Sequence, residues 1–156
     1  MIVWRISAFA SLDGLGGLRF SARWHTAGRP IVYAADHPAG ALCEMLAHVD
    51  RDDLPDSYQL LKVRVSEALT PQEPALTAHW LVDVSASRAV GDAWLAENRS
   101  ALLRVPSALV PEASNILINP RHSGAAALVI ESATHVPLDP RFRGGPSTGP
   151  RSAPAQ

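Results

Sequence analysis

The stretch ARWHTAGRPIVYAADHPAGALCEMLAHV, residues 22–49, runs from a β-branched segment straight into a proline-started helix, and that junction decides the fold class. RPIVYAA, 29–35, is compact and β-branched, as a strand is. Pro38 stands where a first helical residue would, with Asp36 or His37 as cap, and AGALCEMLAHV continues the helix. Ala41, Leu42, Met45, Leu46 and Val49 recur at helical spacing and predict a core-facing stripe. Glu44 falls to one side of that stripe, on the same face as His48 four residues on.

Outward from this junction the chain adds further strand and helix segments, and no internal repeat stands out. IVWRIS, 2–7, reads as a short strand with Val3 and Ile6 toward the core. SLDGLGGLRFSARWHTAG, 11–28, is a glycine-rich loop. YQLLKVRVS, 58–66, alternates apolar and polar from Leu61 onward, as a half-buried strand does. A proline-containing connector near 71–74 leads to a helix around 87–97 with Val90, Trp94 and Leu95. ALLRVPSALV and SNILINP are strand-like pieces broken by Pro106 and Pro111, and ALVIESATHV closes the fold as another strand. From about residue 140 the chain is poor in apolar residues and reads as a mobile tail, 141–156. The expectation is a single α+β domain, 1–140, with mixed or antiparallel sheets and flanking helices.

Composition excludes several classes. A chain of 156 residues suits one domain, and 47% hydrophobic with 19% charged residues fits a soluble globule. A formal charge of -1 argues against a protein that tracks nucleic acid by charge. Lys62 is the one lysine among fourteen basic residues. The single cysteine, Cys43, allows neither an internal disulfide nor a multi-cysteine zinc site, and reads as a small buried residue. No secretory leader or bilayer-length apolar run is visible, so a cytoplasmic location is expected. Gly14 and Gly16 begin a G-x-G-x-x-G pattern that fails at Arg19 and lacks its strand–turn–helix frame. Phosphate-loop and nucleophile-elbow motifs are missing, and the six histidines show no ligand spacing, so no metal is expected.

Four segments place polar residues where a fold does not need them. Arg23-Trp24 puts a planar five-donor fork next to a flat indole. Tyr33 lies mid-strand, Glu44 flanks its helix stripe, and VPSALVPEASNILINP, 105–120, carries Ser107, Asn115 and Asn119 among prolines. Taken one at a time, these read as surface, core or turn residues. Together, WRIS at 4–7, ARWHTAGRPIVYAA at 22–35, ALCEMLAHV at 41–49, GDAWLA at 91–96 and LLRVPSALVPEASNILINP at 102–120 resemble the RES-domain toxins of bacterial toxin–antitoxin pairs. The family is named for an Arg, a Glu and a Ser, and the resemblance runs from about residue 4 to about 140.

That resemblance implies a fold like the ADP-ribosyltransferase toxins and NAD+ as substrate. It places the family's arginine on Arg23, its tyrosine on Tyr33, its glutamate on Glu44, its serine on Ser107 and its asparagine on Asn115. His25 departs from the family, which usually has asparagine in an R-W-N string. Cleavage of the nicotinamide–ribose bond builds positive charge on the sugar, which a carboxylate stabilises, and Glu44 is the candidate. Arg23 would hold pyrophosphate or an attacking inorganic phosphate, Tyr33 would stack on nicotinamide, and Ser107 would orient Glu44 or the substrate. Arg19 and Arg29 could join Arg23 or stay solvated. The acceptor is left open between water, phosphate and a host protein, the last making the chain a mono-ADP-ribosyltransferase. A non-enzymatic binding module is the rival from another class. The resemblance also implies a helix-turn-helix antitoxin as partner, with no direct nucleic-acid or membrane contact.

Overall fold

The structure, a computed structural model, describes residues 1–143. Six strands form one sheet: β1 (Ile2–Ile6), β2 (Val32–Ala35), β3 (Ser57–Val65), β4 (Leu102–Pro106), β5 (Ser114–Ile118) and β6 (Leu128–Pro137). Their order is β4-β5-β2-β1-β3-β6, and every strand pair is antiparallel. The one parallel contact is a single bridge, Gln72 to Leu103, which covers the outer edge of β4. Two helices, α1 (Pro38–His48) and α2 (Val84–Glu97), complete this α+β domain.

His37, rather than Asp36, caps α1, its Nδ1 accepting the Ala39 N–H at 3.2 Å. Asp36 instead accepts the Ser114 N–H at 3.0 Å and ties the start of α1 to β5. α2 begins three residues earlier than its apolar pattern suggested, because Asp83 accepts the Ala86 N–H at 2.9 Å and sets the first turn. Of the expected α1 stripe only Ala41 is buried; Leu42, Met45, Leu46 and Val49 are half-buried. Val3 is fully buried, but Ile6 is not, and it faces a cleft rather than the core.

The two faces of the sheet are covered unequally, the second mainly over β4 and β5. One carries Val3, Val32, Leu61, Val63, Ile116 and Ile118 in a sealed core. The other carries Leu103, Val105 and Leu117, which pack against Trp94 of α2 and against Trp24 and Ile31 of the 11–31 loop. The sheet's weakest line runs between β1 and β2, which meet in a single pair, Trp4 with Ala35. β1 pairs with β3 over five positions and β2 with β5 over four. Arg5 reaches across this seam and donates from Nη1 to the Tyr33 carbonyl at 2.9 Å, satisfying an acceptor the short ladder leaves open. Beyond β6, Pro140–Arg143 form a short turn held by Arg143, whose Nη2 donates to the Leu54 carbonyl at 2.9 Å. The rest of the expected tail lies outside the described residues.

Candidate functional site

The seam opens into a cleft of about 690 Å³. Trp4, Arg5 and Ile6 contribute from β1, Tyr33 from β2, Glu44, Met45 and His48 from α1, and Asn115 from β5. The opposite wall comes from Arg23 and Trp24 of the loop and Val84 and Arg88 of α2, with Ala108 and Leu109 at one end. Of the expected α1 stripe, Met45 and Val49 thus wall the cleft instead of filling the core, while Leu42 and Leu46 lie outside its lining.

Glu44 is half-buried here, and its carboxylate is oriented: Asn115 Nδ2 donates to Oε1 at 2.7 Å. Asn115 is 7% exposed and pairs with Ala35 in the sheet, so a rigid strand sets the direction of the carboxylate. His48 spends Nδ1 on the Glu44 backbone carbonyl at 2.7 Å, not on the carboxylate. Asn119, four residues along, does a different task. It is 1% exposed and donates to Asn98 Oδ1 at 2.8 Å, joining the end of β5 to the end of α2.

Tyr33 presents its ring to the cleft while its hydroxyl points away. That oxygen accepts the Trp24 N–H at 3.3 Å and lies 2.9 Å from His25 Nδ1. Burial pushes the Tyr33 phenol above its ordinary value, with the Trp24 amide opposing, so the group stays neutral. His25 is 2% exposed, and burial pulls its pKa down. The residue that departs from the usual family string therefore holds the cleft tyrosine in place.

Arg23 donates from Nη1 to the Leu81 carbonyl at 2.9 Å and, more weakly, to Trp80 at 3.5 Å. Arg88 answers from the other side, Nε donating to the Ala22 carbonyl at 3.0 Å. Trp24 and Trp80 stack beneath them with ring centroids 5.8 Å apart. Asp92 on α2 accepts both the N–H and the hydroxyl of Thr26, at 2.9 and 2.6 Å, and pairs with Arg29 at 3.2 Å. Arg29 and the exposed Arg19 stay outside the cleft lining. The arginines that do accompany Arg23 are Arg5 and Arg88, which sequence reasoning missed. WRIS contained the signal for Arg5, since an arginine mid-strand is out of place in a core.

Ser107 stands apart. Its hydroxyl accepts the N–H groups of Leu109 and Val110 at 3.1 and 3.2 Å, closing the turn that delivers Ala108 and Leu109 to the cleft. The side chain that touches Glu44 is Asn115. Among the described residues no group of three or more His, Cys, Asp or Glu is placed to hold a metal ion, and no helix is long and apolar enough to cross a membrane.

A six-stranded antiparallel sheet opened at one seam, with an oriented carboxylate and three arginines in the lining of the cleft there, defines a small α+β domain. Comparison with known proteins places it further. Residues 2–140 match the RES domain family, and the chain belongs to that family. It is 44% identical over 140 residues to the Toxin Res of Pseudomonas putida, spanning 88% of this chain and 97% of that protein. It is 34% identical over 152 residues to the Prs ADP-ribosylating toxin of a Sphingobium species, spanning 89% and 94%. In fold it is similar to the crystal structure of the M. tuberculosis MbcT–MbcA toxin–antitoxin complex. There the TM-score is 0.70 at 18% identity, over 92% of this chain and 86% of that one. Both the Pseudomonas and the Sphingobium relatives, aligned over nearly their whole length, are named as toxins.

Proposed function

We propose that the chain cleaves the nicotinamide–ribose bond of NAD+ and arrests growth by depleting it. The observation that carries this reading is the carboxylate of Glu44, fixed by Asn115 at 2.7 Å inside a cleft whose other charged walls are guanidinium groups. A dinucleotide offers that cleft a negative pyrophosphate for the arginines and, on breaking, a cationic ribose for the carboxylate.

As the C–N bond lengthens, its electron pair moves to the ring nitrogen and nicotinamide leaves neutral. The ribose carbon becomes oxocarbenium-like, and Glu44 stabilises that charge while accepting a hydrogen bond from a ribose hydroxyl. Water or inorganic phosphate then forms the new C–O bond, giving ADP-ribose or its phosphorylated form; water loses a proton in doing so. Tyr33 offers the face on which nicotinamide stacks. Arg23 keeps donors beyond the one spent on Leu81 for the pyrophosphate. Ser107 is assigned the positioning of the Ala108–Leu109 wall rather than a direct bond to Glu44.

The name of the Sphingobium relative supports a second reading, in which a host protein takes the ADP-ribose. The solved toxin–antitoxin complex supports an antitoxin protein as partner, and the family resemblance implies that this partner carries a helix-turn-helix DNA-binding domain.

The test is product analysis of purified, antitoxin-free protein with NAD+, with and without inorganic phosphate. Nicotinamide release with free ADP-ribose gives hydrolysis, and a phosphate-dependent phosphorylated product gives phosphorolysis. Label that appears on a protein band only after addition of cell extract gives the transferase. No turnover under any condition removes the enzymatic reading and leaves the binding module.

A further inference from the structure

Arginines in this chain divide by what neutralises them. Arg29, Arg64, Arg99, Arg104, Arg141 and Arg143 each have a carboxylate within 4 Å. Arg19, Arg51 and Arg121 are exposed to water. Among the described residues, the arginines withdrawn from solvent with no carboxylate within 4 Å are Arg5, Arg23 and Arg88, all three of which line the cleft; Asp13 acts on Arg5 from longer range. Withdrawing charge from water is costly unless an opposite charge balances it, and three guanidinium groups against the one carboxylate of the lining, Glu44, leave the cleft suited to an anion.

Arg88 is the least expected of the three. Asp92 lies four residues along the same helix, where a charged pair would ordinarily form. Its carboxylate is occupied instead by Thr26 and Arg29. Arg88 uses Nε on the Ala22 carbonyl, and its terminal nitrogens have no hydrogen-bond partner among the described residues. Nε is the nitrogen nearest the stem, so this bond holds the guanidinium plane without consuming the fork that matches phosphate oxygens. Arg23 is held in the mirror sense, by carbonyls of the segment just before α2. The loop fixes the helix's arginine, and the segment leading into the helix fixes the loop's, before any ligand arrives.

We propose that Arg88 is a phosphate-binding residue of this site, paired with Arg23 on the pyrophosphate of a dinucleotide. The proposal rests on the NAD+ reading above and adds to it a ligand contact supplied by α2. Arg88 is thus a recognition residue, and the bond to Ala22 is what orients it.

Calorimetric binding of ADP-ribose to wild type, Arg88→Lys and Arg88→Met tests it. Inhibition of NAD+ turnover by nicotinamide, which carries no phosphate, serves as the companion measurement. The expected result is ADP-ribose binding weakened about tenfold or more in Arg88→Met, with partial recovery in Arg88→Lys, which keeps the charge but loses the fork. The nicotinamide concentration that halves turnover should move by less than about twofold, because the ring site is separate from the anion site. Equal weakening toward both ligands would overturn the proposal, since it marks Arg88 as a prop for the loop. So would unchanged ADP-ribose affinity in Arg88→Met alongside normal NAD+ cleavage by wild type, a result that leaves the NAD+ reading standing. A wild-type protein that neither cleaves NAD+ nor binds ADP-ribose overturns both.

Discussion

α1 meets the sheet through small or half-buried side chains, with Ala41 its one buried residue, and its strongest polar tie is the Glu44–Asn115 bond. α2 buries Ser87, Gly91 and Trp94 and is laced to the 22–29 loop by Arg88 and Asp92, and the segment just before it by the Trp24–Trp80 stack. The closeness differs as well. A Cβ at Gly91 would overlap the Trp24 carbonyl oxygen, whereas one at Gly40 would sit 3.2 Å from the Ala35 Cβ. One helix is a fixed wall and the other a lightly attached one, and Glu44, the carboxylate proposed to act on the ribose, is on the second. Under the proposed function, substrate recognition and bond cleavage fall to walls of different rigidity.

Glu44→Gln should strike hardest at function, lowering nicotinamide release about a thousandfold. Its unfolding free energy should change by less than about 1 kcal/mol, because α1 is not anchored through the charge. A large loss of stability would instead make Glu44 the anchor of α1 and remove the contrast between the helices.

The glycines give the direct comparison of attachment. Gly91→Ala should cost about 3 kcal/mol or more in denaturant unfolding, since helix and loop must separate to admit a methyl group. Gly40→Ala should stay within about 1 kcal/mol of wild type, because the helix gains propensity while Ala35 gives way slightly. Equal costs would mean that α1 is as tightly seated as α2.

The two asparagines of the β5 segment sharpen the same contrast at smaller scale. Asn115→Ala should lower turnover about tenfold by releasing the carboxylate. Asn119→Ala should cost about 1–2 kcal/mol of stability and leave turnover per folded molecule unchanged.

The smallest effect is a pH limb. Burial lowers the His25 pKa from 6.5, so the unfolded chain binds this proton more readily than the folded one. The stability belonging to neutral His25 is complete above that value and is lost as pH falls toward the folded one. His25→Asn should flatten the stability profile just below pH 6.5, while the acid limb of Asp92 and Glu131, whose pKa values are lowered by their hydrogen-bond donors and cationic neighbours, persists at lower pH.

Much of the fold was legible where local chemistry and tertiary demand agreed. The Pro38 start of α1, the alternation in β3 and the β-branched runs of β5 and β6 all sit within a few residues of their sequence bounds. The α1 stripe misled because part of it, Met45 and Val49, turns to the cleft rather than the core, which apolar spacing cannot distinguish. Ile6 misled for the same reason. Arg23, Tyr33, Glu44 and Asn115 do line one cleft, and Ser107 borders it through its turn. Arg5 carried a signal in its mid-strand position that was missed, whereas Arg88 was not legible as a cleft residue, since its importance lies in lacking a carboxylate within 4 Å, which pairing across the fold decides. Nothing local in SASRAVGD says that Asp92 will turn to Thr26 and leave Arg88 free of it.

The single residue pair joining β1 to β2 also sets how the molecule exchanges with solvent. The sheet amounts to two three-stranded plates, β4-β5-β2 and β1-β3-β6, each bonded internally over several positions and to one another at Trp4 and Ala35. Local openings follow the line with fewest backbone bonds to break. Deuterium should therefore enter along the seam first, at the amides bordering the cleft, while both plates remain protected to the level of global unfolding.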